Sequence, residues 1–298
     1  MIFCVDEHTR LLLAGQEDSH RNMRIATWNM DHWRRSAELR TRAWTYLESE
    51  VRPDVALLQE ARPTSGHSGV VFRTGGILDD RGDKPKDLGW GSAVVSFGPT
   101  LRGIESAVSP FRPDPNPLLR TFPGCVAIAE VQASTPLVVV SAYGIIDRGY
   151  ADSTVHRILS DLTPLIDERG ARRMVIAGDL NITSQWSYKH RSFLKGRHEE
   201  CLARDLNLMN RFEALGFHNV VVRSNGPLSG CECQAGESCR HVQTQRHDRS
   251  TFPWQNDYIF VTDDILKCQP TLEVFDRDEA WELSGHCPVV IEFDDAAA

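Results

Sequence analysis

About ten short apolar runs, each closed off by Gly, Pro, Asp or Asn, do most to limit what this chain can fold into. In order they are "RIATWN", "DVALLQ", "GVVF", "SAVVSF", "CVAIAEVQ", "PLVVVSAY", "RRMVIAGD", "NVVVR", "DYIFVT" and "CPVVIEF". Runs this short, rich in β-branched residues and bounded by turn formers, read as β-strands. Few helical patterns separate them. In "STVHRILSDLTPLIDE", Val155, Ile158, Leu159, Leu162, Leu165 and Ile166 share one face; Asp152 or Ser153 is expected to cap it and Pro164 to kink it. Leu202, Leu206, Met209 and Phe212 form a second stripe ending at Gly216, and Leu39, Ala43, Leu47 and Val51 a third ahead of Pro53. Many strands and few interleaved helices predict an α/β fold of two packed sheets with helices outside, not one doubly wound parallel sheet.

Composition agrees with a folded, well-packed chain. Of 298 residues, 41% are hydrophobic and 25% charged, which supports a large core and argues against disorder. A net charge of −8 means that a phosphate-bearing partner must be met by local basic clusters or by cations, not by the overall field. No stretch approaches the roughly 20 apolar residues of a membrane-spanning helix. The first twenty residues carry acids where a secretion signal has a basic region, so no membrane association is expected and the cytoplasm is the expected compartment. Met23 immediately precedes the first strand. The expected organisation is a dispensable extension over 1–22, one domain over 23–293 and a tail over 294–298, acting as a monomer.

Polar residues collect where these strands end. "IATWNMD" ends in Asn29 and Asp31, "VALLQE" in Glu60, "VVSAY" in Tyr143 and "MVIAGDLN" in Asp179 and Asn181; "NDYIF" opens with Asp257, and "SGHCPV" carries His286. Carboxylates and amides at the ends of buried strands are costly unless they converge on something charged, and a divalent cation with a phosphate would satisfy them together. Gly-Asp-x-Asn alone is an ordinary turn. The whole series in this order is not ordinary.

"WNMD", "LLQE", "SAY", "AGDLN", "NDYIF" and "SGHCPV" resemble the successive motifs of the endonuclease/exonuclease/phosphatase superfamily, across about residues 24 to 293. That resemblance implies a four-layer α/β sandwich of two mainly antiparallel sheets flanked by helices, with the site at one edge of the sheets. It implies a divalent-metal-dependent phosphoester hydrolase in which Glu60, with Asn29 and Asp31, holds Mg²⁺ or Mn²⁺. Asp179 would activate water, Asn181 and Tyr143 would donate to the phosphate, and His286, paired with Asp257, would stabilise the transition state. The chain departs from the pattern at Gly285, where the family usually has an aspartate on the metal side.

Basic residues adjoin these motifs. Lys189, His190, Arg191, Lys195, Arg197 and His198 follow "GDLNITSQW"; Arg34 and Arg35 follow "WNMDHW"; Arg240, Arg246 and Arg249 precede "NDY". In an acidic protein such clusters suit a polyanion, so nucleic acid, DNA or RNA, is the expected substrate. Trp33, Trp186, Phe252 and Trp254 are available to stack on bases or to pack. The tryptophan-rich loop of apurinic endonucleases is replaced by "QTQRHDRSTFPW", which argues against abasic-site specificity. A phosphomonoesterase acting on a small or lipid headgroup phosphate is the alternative, and an inactive nucleic-acid-binding module a second. Separately, Cys231, Cys233, Cys239 and His241 in "GCECQAGESCRH" make a full tetrahedral set for a structural Zn²⁺, with His247 as an alternative fourth ligand.

Overall fold

The central strands are buried at every position, which only sheets covered on both faces allow, so the molecule is built in layers. The computed structural model describes residues 22–63, 69–75, 89–109, 112–146, 151–190, 192–233, 235–247 and 250–296. The 1–21 part of the expected extension, residues 297–298 of the expected tail, Arg191 and Arg249 lie outside them. One six-stranded sheet runs, in spatial order, β15 (Thr271–Val274), β16 (Val289–Asp294), β1 (Asn22–Asn29), β2 (Val55–Ala61), β4 (Gly91–Ser96) and β3 (Gly69–Thr74). The other runs β11 (Phe217–Asn219), β14 (Asp257–Thr262), β10 (Met174–Asp179), β9 (Leu137–Ala142), β8 (Val126–Gln132) and β5 (Thr100–Gly103). Each sheet is antiparallel except at one central pair, β1 with β2 and β10 with β9. Two hairpins stand apart: β6 (Ser106–Ser109) with β7 (Arg112–Pro117), and β12 (Gln245–His247) with β13 (Ser250–Trp254).

Alternation then sorts side chains between cores. Ile25, Val55, Leu57, Val94, Val139, Val175, Ile259 and Val289 meet between the two sheets. Their neighbours Ala26, Trp28, Ala56 and Leu58 point outward beneath α1 (Ala37–Tyr46) and α6 (Asp278–Leu283). On the opposite outer face Val138, Val140 and Ile176 pack with α2 (Asp152–Arg169) and α4 (His198–Ala214). The result is the four-layer sandwich expected from the sequence. Two short helices, α3 (Ser184–Lys189) and α5 (Asp263–Lys267), complete it. No helix among the described residues is long and apolar enough to cross a membrane.

Local expectations fared unevenly. The stripe ahead of Pro53 is a helix capped by Ser36, whose hydroxyl accepts from the Leu39 amide, and Arg52 closes it in the left-handed region. Neither Asp152 nor Ser153 caps α2. Ala151 occupies that place without a side-chain bond, and the helix continues through Pro164 to Gly170, whose positive φ of 60° ends it. In α4 the buried face is Cys201, Leu208 and Phe212, whereas Leu206 is 49% exposed, so the expected stripe is rotated. Strand β11 stops at Asn219; the Val220 amide still donates to Ile259 O at 3.0 Å, and residues 221–223 form no strand. Strand β7, "RPDPNP", escaped the sequence reading because its three prolines mimic a loop.

Candidate active site

The expected site residues lie on strand ends at one edge of the sandwich, and three of them sit in an unusual backbone conformation. Asp31, Glu60 and Asn181 each have φ of 49°. For residues with a Cβ this region costs roughly 1 kcal/mol or more, least for Asn and Asp. At Glu60 the cause is visible: the pairing of β2 with β4 shifts register between Leu58 and Ala61, a bulge that re-aims the chain. Two residues after the inward-facing Leu57, Gln59 points into the seam between the sheets, where its Nε2 donates to Ser141 Oγ at 3.0 Å.

Asp179 is the hub. Its Oδ2 accepts from Asn29 Nδ2 at 2.8 Å and Asn181 Nδ2 at 3.2 Å, and its Oδ1 accepts the Asn181 amide at 2.9 Å. His286 Nδ1 lies 2.8 Å from Asp257 Oδ2, and its Nε2 lies 3.8 Å from Asp179 Oδ2. All three side chains are almost wholly buried. Burial opposes a charged imidazole, but Asp257 and Asp179 outweigh it and push His286 up to about 9. Burial raises Asp179 to about 7, against the pull of His286. The two acids beside the ring thus favour its charged form, while burial favours the protonated form of Asp179. The Asp179, Asp257 and His286 ligand atoms lie within 4.8 Å of one another, which also makes them a candidate Asp/His metal site.

A second acidic group lies beside the first. Glu60 accepts from Tyr143 OH at 2.8 Å through Oε1 and from Trp33 Nε1 through Oε2. Burial raises its pKa, and the nearby Asp31 carboxylate adds to this against the Tyr143 hydrogen bond. Asp31 is paired with Arg35 at 3.0 Å and Arg34 at 3.8 Å. Asn29 links the halves: its Oδ1 accepts the Asp31 amide at 3.0 Å while its Nδ2 serves Asp179. The eight expected residues thus converge, in two connected clusters.

Two supports were not read from the sequence. Ser284 Oγ donates to Asn29 O at 2.7 Å and accepts the His286 amide at 3.1 Å, tying the two strand ends together. Thr244 Oγ1 accepts the Asn256 and Asp257 amides, each at 3.1 Å. Ser284 stands in the "SGHCPV" motif, but nothing in the sequence gives its hydroxyl a role, and Thr244 lies in no motif. Gly285, by contrast, has no conformational need to be glycine: it is not in the left-handed region, and a Cβ there would meet only the Arg246 carbonyl oxygen, at 3.4 Å.

Beside Asn181 opens a cavity of about 570 Å³, walled by Trp186, Lys189, His190, His247, Arg204 and Trp254. The basic residues expected near the site divide. Lys189 and His190 reach this wall, but Arg246 pairs with Asp276 at 2.9 Å and stacks on Trp281, and Arg197 pairs with Glu200. Trp33 and Trp186 are 47% and 37% exposed, whereas Phe252 is buried.

No family model matches the chain, and no curated protein sequence matches it. Solved structures do. The endonuclease domain of TRAS1, a telomere-specific non-LTR retrotransposon, superposes with a TM-score of 0.54 at 19% identity, covering 92% of this chain and 99% of that one. The 3′ phosphatase NExo from Neisseria, bound to product DNA hairpin, gives 0.54 at 19% identity over 91% and 99%. An AP endonuclease from Archaeoglobus fulgidus gives 0.52 at 17% identity over 91% and 99%. These three belong to the endonuclease/exonuclease/phosphatase superfamily, and the chain has the fold they share.

Proposed function

We propose that this protein is a divalent-metal-dependent phosphodiesterase that hydrolyses nucleic acid. The observation that carries the reading is the buried Asp257–His286–Asp179 arrangement, in which a charged imidazole faces a carboxylate raised to about 7. That pairing suits phosphoryl transfer, where a base near neutrality takes a proton from water and a fixed cation meets the charge that builds on phosphate. The resemblance to nucleases and to a DNA-bound 3′ phosphatase supports a nucleic-acid substrate.

In this reading Asp179 removes the proton of the attacking water, held in aim by Asn29 and Asn181. His286, oriented by Asp257, donates through Nε2 to the phosphate. Asn181 and Tyr143 exchange their internal partners, Gly144 O and Glu60, for phosphate oxygens as the substrate arrives. Glu60, Asn29 and Asp31 offer a hard oxygen donor set, and a buried carboxylate whose pKa is raised by burial is relieved by a cation, so these residues fit Mg²⁺ or Mn²⁺. Such an ion supplies charge neutralisation at the phosphoryl oxygens. The catalytic domain in this reading spans 23–293. In this reading the protein works as a monomer in the cytoplasm, a reducing compartment that keeps cysteines as thiols or metal ligands.

The test is a panel of labelled single-stranded, double-stranded, nicked and abasic oligonucleotides with Mg²⁺ or Mn²⁺, alongside bis-(p-nitrophenyl) phosphate. Cleavage of oligonucleotides and of the small diester is expected. Release of inorganic phosphate from inositol polyphosphates with no oligonucleotide cleaved would replace this reading with a phosphomonoesterase.

A further inference from the structure

Away from the acidic cluster, Cys231, Cys233, Cys239 and His241 bring three sulfurs and an imidazole nitrogen within 4.8 Å of one another. His241 Nδ1 lies 3.5 Å from Cys231 Sγ and 3.4 Å from Cys239 Sγ. A tetrahedral ion with Zn–S of about 2.3 Å and Zn–N of about 2.0–2.1 Å sets S and N roughly 3.5 Å apart, so these separations are those of ligands sharing one zinc. The other ring nitrogen behaves as a ligating histidine requires: Nε2 lies 3.2 Å from Ser184 Oγ, its acceptor once Nδ1 is on the metal. A disulfide would join two of the sulfurs and leave the third, with His241, converging on nothing.

We propose that these four residues bind one structural zinc ion, which fastens the 231–241 loop to the two segments that deliver the catalytic acids. Gln185 Nε2 donates to Cys231 Sγ at 3.2 Å and to Pro253 O at 2.8 Å, while its Oε1 accepts the Gln255 amide at 2.8 Å. Ser184 and Gln185 open α3, shortly after Asp179; Pro253 and Gln255 lead into Asp257. Between two of the ligands, Glu232 pairs with Lys189 at 2.6 Å on the cavity wall. Four protein ligands leave no open position, so the ion does no hydrolysis itself. Without it, three thiols and an imidazole lose their common partner, and the brace between α3 and the approach to β14 loosens.

The experiment needs no substrate. Full-length protein purified under reducing, chelator-free conditions is analysed for metal, and Co²⁺ is exchanged in for its visible spectrum. About one zinc per chain is expected, with the intense absorption of tetrahedral cobalt thiolate and three thiols that resist a thiol reagent until chelator is added. Cys233→Ser and Cys239→Ser should each lose the ion and melt several degrees lower, while Cys268→Ser, outside the cluster, keeps it. Reduced wild-type protein with no zinc, freely reacting thiols at all three positions, or a cobalt spectrum of oxygen ligation would overturn the proposal. Because every readout is metal content, spectrum or melting, the result stands whether or not the protein cleaves nucleic acid.

Discussion

His286 and Asp257 are hydrogen-bonded at 2.8 Å across the seam between the two sheets, His286 from the turn that enters β16 and Asp257 from the first position of β14. The bond fixes the ring by Nδ1 and leaves Nε2 facing Asp179. A carboxylate buried against an imidazole thus joins the two halves of the sandwich at the point where chemistry is proposed.

Asp179→Asn and His286→Ala should each lower turnover by at least about 100-fold, since both act on the transition state. Both variants should keep the wild-type far-ultraviolet circular dichroism. Steady-state rates on a cleaved oligonucleotide check this, and wild-type turnover in either variant would remove the assigned mechanism.

The pH profile follows from the same pair. Activity requires Asp179 without its proton and His286 with its proton, so the rate should rise through about 7, where Asp179 ionises, and fall through about 9, where His286 discharges. Asp257→Asn removes the largest influence raising His286, so the alkaline limb should move to lower pH. A profile of kcat/KM for both proteins decides it; an unmoved alkaline limb would detach that limb from His286.

Gly285→Asp should lower the Mg²⁺ concentration for half-maximal activity, because it restores a carboxylate where Asp31 is drawn off by Arg35 and Arg34. Melting temperature should hardly change, since neither φ nor contacts demand glycine there. Equal half-saturation in a Mg²⁺ titration of both proteins would mean that the metal side is already complete.

Far from the site, Asp295 ties the last strand to Arg173 at 2.6 Å and to Ser134 Oγ at 2.6 Å. Burial pushes its carboxyl up, but these bonds outweigh it and hold the group below its ordinary 3.8. The stabilisation is therefore complete above about pH 4 and is lost as pH falls through the depressed value. Asp295→Asn should cost roughly 2 kcal/mol near neutrality, and less in strong acid. Urea titrations at pH 7 and below pH 3 measure the difference; the same loss at both would assign it to packing, not charge.

The linear sequence determined the layers and the candidates. Short apolar runs bounded by turn formers are a local property, so two packed sheets were legible, whereas which core Ile25 and Leu57 or Ala26 and Leu58 enter was settled by folding. The polar strand ends were legible too, as was the spacing of Cys231, Cys233, Cys239 and His241. Tertiary structure alone decided the rest. Burial of Cys201 and exposure of Leu206 depend on the surface α4 meets, which propensity does not contain. The bulge at Glu60 depends on its pairing with β4. Whether an arginine faces a substrate or a nearby acid, as Arg246 faces Asp276, depends on a partner 30 residues away. The raised values of His286 and Asp179 come from burial and from charges on strands distant in sequence, and only folding brings them within a few ångströms.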